Sequence, residues 1–464
     1  MLPRTWPRLH RRRSAENVHE STSAPGAAPE IPHSAEFLDD HLPVEYFRQD
    51  VVRLVHQLRI PGWSHVTLDM ASDLDMGRID CALTNSVYYV KAPPYIKEML
   101  RRENPHLRPV NLLLRVYGPN VDMLIDREKE LKTVAELTKH NIGPRLFGTF
   151  QNGRFEQFLN AKGLTRHDMR QPETSIQIAK RMSDLHQNVP LSAEDLALGP
   201  VIWQYLDKWI PAAREQLRKI ETKMPGTTNR VVQRDSFEEL VRAISRYKEY
   251  VTQKHPVITD STDRTEVDRL VFCHNDTQYG NMLRLEPPKG SPLLQPQHEH
   301  RQLVVIDFEY SGPNPRALDI ANHFCEWMYD YTHPTMSHHI WLDRYPNEEE
   351  QRRFITSYVE QCNTVFDEQR MDQQIEQLIA EVVDWRPAVS AFWGMWGIVQ
   401  FPVETDSKLR EEYLEKNPQY ELSTSPEKPM EIVETEQEDS FDYLSYSREK
   451  LGLFWSDCEA LNIY

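Results

Sequence analysis

The sequence predicts an α+β chain folded as two lobes, a smaller β-rich N-terminal lobe followed by a larger, mainly helical C-terminal lobe. Three observations carry this. Strand-like runs rich in β-branched and aromatic residues concentrate before residue 160, with one helical pattern between them. Helical periodicity dominates from Thr174 onward. A short β-like pair, around Val271–Leu285 and Leu303–Tyr310, interrupts it. With 464 residues, 39% of them hydrophobic, the chain suffices for one large two-lobed domain or two ordinary ones.

Taken in order, residues 1–35 are rich in Pro, Ala, Ser and Arg and read as a disordered arm. Within it Arg11, Arg12 and Arg13 precede Ser14, a pattern that basophilic protein kinases favour; the Arg-rich start also resembles a mitochondrial leader until Glu16 and Glu20 interrupt it. Residues 36–159 form the N-lobe, with order expected from about Pro43. There Val44, Phe47, Val51, Leu54, Val55 and Leu58 recur at helical spacing until Pro61-Gly62 stops the helix. Strands are expected over Ala82–Val90, Val110–Tyr117 and Phe155–Leu159, and a helix over Val121–His140. This strand, strand, helix, strand order is the skeleton of a kinase N-lobe. Residues 160–464 form the C-lobe, in which the Glu-rich, Pro-interrupted stretch 404–439 reads as a mobile acidic insertion.

Composition excludes several classes. With 54 Lys+Arg against 71 Asp+Glu, the net charge of −17 opposes binding of nucleic acid over the surface but suits a cationic substrate. Five scattered cysteines without CxxC spacing favour free thiols over a disulfide framework. No apolar run reaches the ~20 residues of a membrane-spanning helix, and the chain is expected to be cytoplasmic.

The motif with most chemical content starts on the apolar run Val271-Phe272-Cys273. His274-Asn275-Asp276 follows, with Asn281 beyond it, which matches the catalytic-loop spacing His-x-Asp-x-x-x-x-Asn of protein kinases. An Asp there accepts or orients the proton of an attacking hydroxyl, and the Asn reaches a metal. The bland alternative is a helix-capping Asp and a turn Asn. A second apolar run, Leu303–Ile306, ends in Asp307-Phe308 with Glu309 where protein kinases have Gly. An Asp at a strand end, with hard oxygens, suits Mg²⁺ shared with a nucleotide.

On a helix, Asp319, His323, Glu326 and Asp330 fall near one face, an acidic wall with aromatic neighbours that would attract a cationic alcohol. For His323 a satisfied core histidine is the preferred reading. A zinc site from Cys273, His274, His323 and Cys325 matches no structural zinc spacing. Trp393 and Trp396 share a helix face beside Gly394 and Gly397, whose lack of side chains lets something approach closely. Such a pair is more often core, but beside a kinase centre it suits recognition of a quaternary ammonium by ring faces.

These segments, with Asp319–Tyr331 and Phe392–Gln400, resemble the choline/ethanolamine kinase family, in its fungal type, from about Pro43 to the C-terminus excluding the insertion. The resemblance implies a protein-kinase-like two-lobed fold and phosphorylation of choline by MgATP, the first step of the CDP-choline route to phosphatidylcholine. It implies Asp276 as catalytic base, with Gln278, Asn281 and Asp307 at the metal and nucleotide. ATP contacts are implied for Thr84, Asn85, Arg115, Gln157 and Leu159, with Glu130 as the partner of Arg115. The choline pocket is implied at Asp276, Tyr310, Glu326, Tyr331, Trp393, Trp396 and Tyr446. Cys81-Ala82 stands where the family often has two glycines, removing easy positive-φ geometry and close approach to phosphate.

Ethanolamine, alone or beside choline, is the nearest rival acceptor; a primary ammonium needs hydrogen-bond acceptors, a quaternary one ring faces. A pseudokinase scaffold is a second rival, against which Asp276, Asn281 and Asp307 stand. Paired tryptophans do not suit the acceptors of aminoglycoside or homoserine kinases. The sequence leaves a homodimer open.

Overall fold

The computed structural model describes residues 31–79, 85–103, 109–117, 133–134, 136–137, 142–257, 270–287, 289–363, 367–401 and 441–464. Ser14, Cys81, Ala82, Thr84, Glu130, the 404–439 stretch and most of the Val121–His140 helix lie outside them. The described chain includes residues before Pro43, inside the segment expected to be an arm. His33–Ser34 form β1, which pairs in parallel with β5. His33 Nδ1 meets Thr149 Oγ1 at 2.9 Å and Ser34 Oγ donates to Gln57 Oε1 at 2.6 Å. A two-residue strand draws its order from partners more than 20 positions away, so local composition carries no sign of it.

The N-lobe sheet has six strands in the order β1-β5-β6-β4-β3-β2. After β1 these are β2 (Asp75–Ile79), β3 (Asn85–Lys91), β4 (Leu112–Tyr117), β5 (Leu146–Phe150) and β6 (Gly153–Gln157), antiparallel throughout β5-β6-β4-β3-β2. Strands β3, β4 and β6 answer to the three expected ones. Strands β2 and β5 were not expected, because Asp, Gly and Arg interrupt the first and Gly148 the second, which lowers local strand preference. Helix α1 (Val44–Gln57) covers the sheet with Phe47, Val51, Val52 and Val55, which pack with Tyr88, Val90, Leu112, Leu114 and Phe155. Helix α2 (Pro94–Glu103) follows β3.

The C-lobe is built on α3 (Pro172–Asn188), α4 (Val201–Lys223), α5 (Phe237–Lys254), α6 (Arg316–Glu326), α7 (Glu348–Cys362), α8 (Glu368–Gln400) and α9 (Tyr443–Ala460). From Trp385 onward α8 is buried almost all round, as expected of a helix through the centre of a large core.

The expected single β-pair is instead split between two small sheets. Strand β8 (Leu270–Cys273) pairs with β11 (Gly312–Pro315), while β9 (Met282–Leu285) lies between β10 (Leu303–Val305) and β7 (Ala161–Gly163). This crossing sets the segments after β8 and after β10 side by side. A small apolar cluster of Leu137, Ile142, Leu185, Val189, Phe272, Val305 and Phe308 lies beneath them.

Candidate active site

Two loops form the first half of the site. His274 opens the loop after β8. Its Nδ1 accepts the Asp276 backbone N–H at 3.2 Å, which places the ring proton on Nε2, toward the Ile306 carbonyl at 2.9 Å. Burial holds the imidazole below its ordinary pKa and therefore neutral. Phe308 packs on the same ring at 4.8 Å. Asn281 donates to the Asp276 carbonyl at 3.0 Å and to its carboxylate at 2.7 Å. Asn281 O also accepts Ile306 N–H at 2.9 Å, tying the two loops together.

Asn275 and Asp307, the residues that turn each loop, both hold left-handed backbone, with φ of 67° and 69°. Such conformations are uncommon outside glycine, tolerated best by Asn and Asp, and cluster at functional sites. Asp319, at the start of α6, holds the first loop in place. It accepts the N–H groups of His274 and Asn275 at 2.9 and 2.8 Å and bonds His186 Nε2 at 2.9 Å. Burial opposes its charge, yet these bonds keep its carboxyl below the usual range.

The two loop carboxylates are pushed apart in pKa. Asp276 is raised well above the ordinary value by burial and by the nearby charges of Glu326 and Asp307. Burial also opposes the charge of Asp307, which is less shut off from solvent, but Arg115 and Arg154 overcome that and hold it low. Arg115, buried mid-strand on β4, places Nη1 3.1 Å from Asp307 Oδ2. Its Nε has no hydrogen-bond partner among the described residues, nor has the buried Asp307 Oδ1.

The donor set fits a hard divalent cation. The Asp307 oxygen is buried and unmatched, and the NH₂ of Asn281 is taken by Asp276, leaving its amide oxygen. Gln278 likewise hydrogen-bonds Asp276 through its side chain. Oxygen donors of this kind are what Mg²⁺ takes.

The second half is a box of rings around an acid. Trp393 and Trp396 on α8 lie 5.5 Å apart edge to face; Tyr310 is 5.2 Å from Trp393, and Tyr446 on α9 is 5.9 Å from Trp396. Glu326, the last residue of α6, accepts the Tyr331 hydroxyl at 2.6 Å. Burial raises its carboxyl, opposed chiefly by Lys450 of α9, whose Nζ is 3.7 Å from Oε1. The Lys450 ammonium also lies over the rings of Tyr329 at 4.3 Å and Tyr446 at 5.3 Å.

What approaches the two glycines is helix α9. A Cβ on Gly397 would sit 2.3 Å from Ser447 Oγ and 3.0 Å from the Tyr443 carbonyl, and one on Gly394 would sit 2.7 Å from Leu451. Their bare backbone is what allows Tyr446 and Lys450 to reach the box.

The structure thus brings together Asp276, Gln278, Asn281, Asp307 and Arg115 at the loops, and Tyr310, Glu326, Tyr331, Trp393, Trp396 and Tyr446 in the box. Asn85 opens β3, and Gln157 ends β6, its N–H donating to Arg145 O at 2.8 Å; Leu159 follows two residues later.

The single acidic helix face is corrected. Helix α6 ends at Glu326, so Asp330 lies beyond it and pairs with Arg166 at 2.8 Å, while Asp319 serves the loop backbone. His323 is the satisfied core histidine expected: Nδ1 meets Thr277 O at 3.0 Å, Trp327 Nε1 donates to Nε2 at 3.2 Å, and burial lowers its pKa to about 4. The zinc set does not assemble. The His, Cys and acidic atoms that come together among the described residues are those of His186, Cys273 and Asp319, and Asp319 is spent on hydrogen bonds.

Lys450, Tyr329, Asn322 and His186 escaped sequence reasoning. A lysine in the run Arg448-Glu449-Lys450 reads as a solvated helix face, and only the burial of Leu451 and Phe454 beside it hints otherwise.

A family model described as choline/ethanolamine kinase matches residues 76–455, and one described as choline kinase N terminus matches residues 22–72. The chain is 34% identical over 505 aligned residues to a choline kinase of Saccharomyces cerevisiae, covering 98% of this chain and 83% of that protein. It is 31% identical over 445 residues to an ethanolamine kinase of the same yeast, covering 92% and 79%. Among solved structures, an ethanolamine kinase of Plasmodium vivax superposes with a TM-score of 0.60 at 22% identity over 89% of each chain, which shows the shared two-lobed, protein-kinase-like fold.

Proposed function

The chain belongs to the choline/ethanolamine kinase family, phosphotransferases with an alcohol group as acceptor, and we propose that its acceptor is choline and its metal Mg²⁺. The observation that carries the choice is the box itself: an acid ringed by Tyr310, Tyr331, Trp393, Trp396 and Tyr446, next to the loop that bears Asp276. Ring faces attract a cation that has no N–H to donate.

In this reading the choline hydroxyl lies toward Asp276, which accepts or orients its proton during attack on the γ-phosphorus of ATP. Burial and, after it, carboxylate repulsion raise Asp276; the positive charge of the acceptor counters both, so binding favours the ionised base. Asp307, Asn281 and Gln278 would hold Mg²⁺, which neutralises phosphate charge when bound. Arg115 braces Asp307 and has its Nε free for phosphate. The remaining assigned ATP contacts are Thr84, Asn85, Gln157 and Leu159.

Phosphocholine formation followed by ³¹P NMR, with choline and ethanolamine in parallel and with EDTA as control, tests the reading. A higher kcat/KM on choline, lost with EDTA, is expected; no phosphocholine, or a strong ethanolamine preference, overturns it. The 31% identity to an ethanolamine kinase favours measurable turnover of the primary amine as a second acceptor.

A further inference from the structure

Four acceptor atoms around the ring box face donors of the chain itself. Tyr310 Oη accepts from Trp396 Nε1 at 2.8 Å, and Asn322 Oδ1 accepts from Trp393 Nε1 at 2.8 Å. Glu326 Oε2 accepts from the Tyr331 hydroxyl at 2.6 Å, and Oε1 faces the Lys450 ammonium at 3.7 Å. Lys450 is no surface residue: its side chain is 1% exposed and that of Glu326 2%. At 3.7 Å the contact is an ion pair longer than a hydrogen bond, completed by the faces of Tyr329 and Tyr446.

We propose that Lys450 is a specificity-determining residue that selects a quaternary over a primary ammonium acceptor by occupying Glu326. The inference rests on the box being the acceptor pocket.

A primary ammonium carries three N–H donors, and leaving them unmatched out of water is costly. With Tyr331 hydrogen-bonded to one oxygen and the Lys450 ammonium paired with the other, Glu326 meets such donors with its charge already balanced and only part of its lone pairs open. A quaternary ammonium has no donor to satisfy and uses the ring faces that remain. Lys450 also neutralises Glu326 locally, which leaves Asp276 as the carboxylate that balances an incoming cation. Lys450 touches no reacting atom and acts through Glu326.

The test is Lys450→Met, which keeps the length of the side chain and removes the cation. Phosphocholine formation by the wild-type chain is read first, since its absence would sink the choline reading rather than this one. Given that activity, the ratio of kcat/KM for choline over ethanolamine should fall about tenfold or more, the scale of one hydrogen bond to a charged group, while the KM for ATP holds. Lys450→Arg, which keeps the charge, should stay near the wild-type ratio. An unmoved ratio in Lys450→Met, or one that moves toward choline, overturns the assignment. Should Lys450→Met fail to fold by thermal unfolding, Tyr331→Phe frees the other Glu326 oxygen and carries the same expectation. An unchanged ratio there overturns it equally.

Discussion

The two halves of the site are built on opposite plans. The loop half draws its groups from two short contiguous stretches, His274–Asn281 and Ile306–Phe308, whose bonds to each other join residues close in sequence or one strand away, with Arg115 and Asp319 bracing them from β4 and α6. The box half draws on α6, α8 and α9, with Tyr331 from beyond α6 and Tyr310 from before it, residues up to 136 positions apart between Tyr310 and Tyr446, joined by helix packing through Gly394 and Gly397. The loop half concentrates strain and buried charge, with two left-handed non-glycine residues and two carboxylates of opposed pKa. The box half pairs both indole N–H groups, the Tyr310 hydroxyl and Glu326, but leaves Lys450 Nζ and Tyr329 Oη without a hydrogen bond among the described residues. The proposed chemistry thus sits where local geometry is tightly determined, and the proposed selectivity where three helices meet.

The sharpest way to break this contrast is Asp276→Asn. If the loop half is chemical, kcat should fall by about 10²–10⁴-fold, the range for a lost general base. Because Asp276 is a buried carboxylate facing Glu326 and Asp307, its neutral isostere should leave the thermal midpoint unchanged or raise it. Near-normal turnover, or a collapsed fold, would show that the loop carboxylate is structural.

His323 tests whether the two halves are mechanically joined, since it spans Thr277 of the loop and Trp327 beyond α6. Its pKa falls from the ordinary 6.5 to about 4 in the folded protein. The unfolded chain therefore takes up a proton first, and stability that is complete above pH 6.5 drains away as pH falls toward 4. The loss amounts to roughly 3 kcal/mol at the low end. Urea unfolding at pH 7.5 and 5 should show this slope, and His323→Asn should flatten it. An equal slope in the two proteins would place the acid sensitivity elsewhere.

Gly397→Ala sharpens the box side. Its Cβ meets a backbone carbonyl at 3.0 Å as well as Ser447 Oγ, so α9 must shift, at a cost of about 1–3 kcal/mol. The KM for the acceptor should rise while that for ATP stays put. Parallel changes in both constants would mean that α9 supports the whole lobe rather than the box.

Much of this was legible in the primary sequence. The loop half follows from His-x-Asp with a spaced Asn and from Asp-Phe at the end of an apolar run, because groups that act together there are neighbours in the chain. Helix α1 was readable from its apolar spacing, and the core role of His323 from the rarity of a lone histidine ligand. The strand β1, the split of one expected β-pair into two sheets and the end of α6 at Glu326 were not, since each depends on partners distant in sequence.

The amino-acid sequence by itself determined the two-lobed fold, the two kinase-like loops and the identity of the ring residues, because periodicity and short motifs encode what neighbours do. Only the tertiary structure decided that Asp319 organises a loop, that the glycines admit a helix, and that a lysine lies beneath the rings against Glu326. Burial is the physical reason: the charge, partners and accessible atoms of a side chain depend on which distant elements exclude water from it.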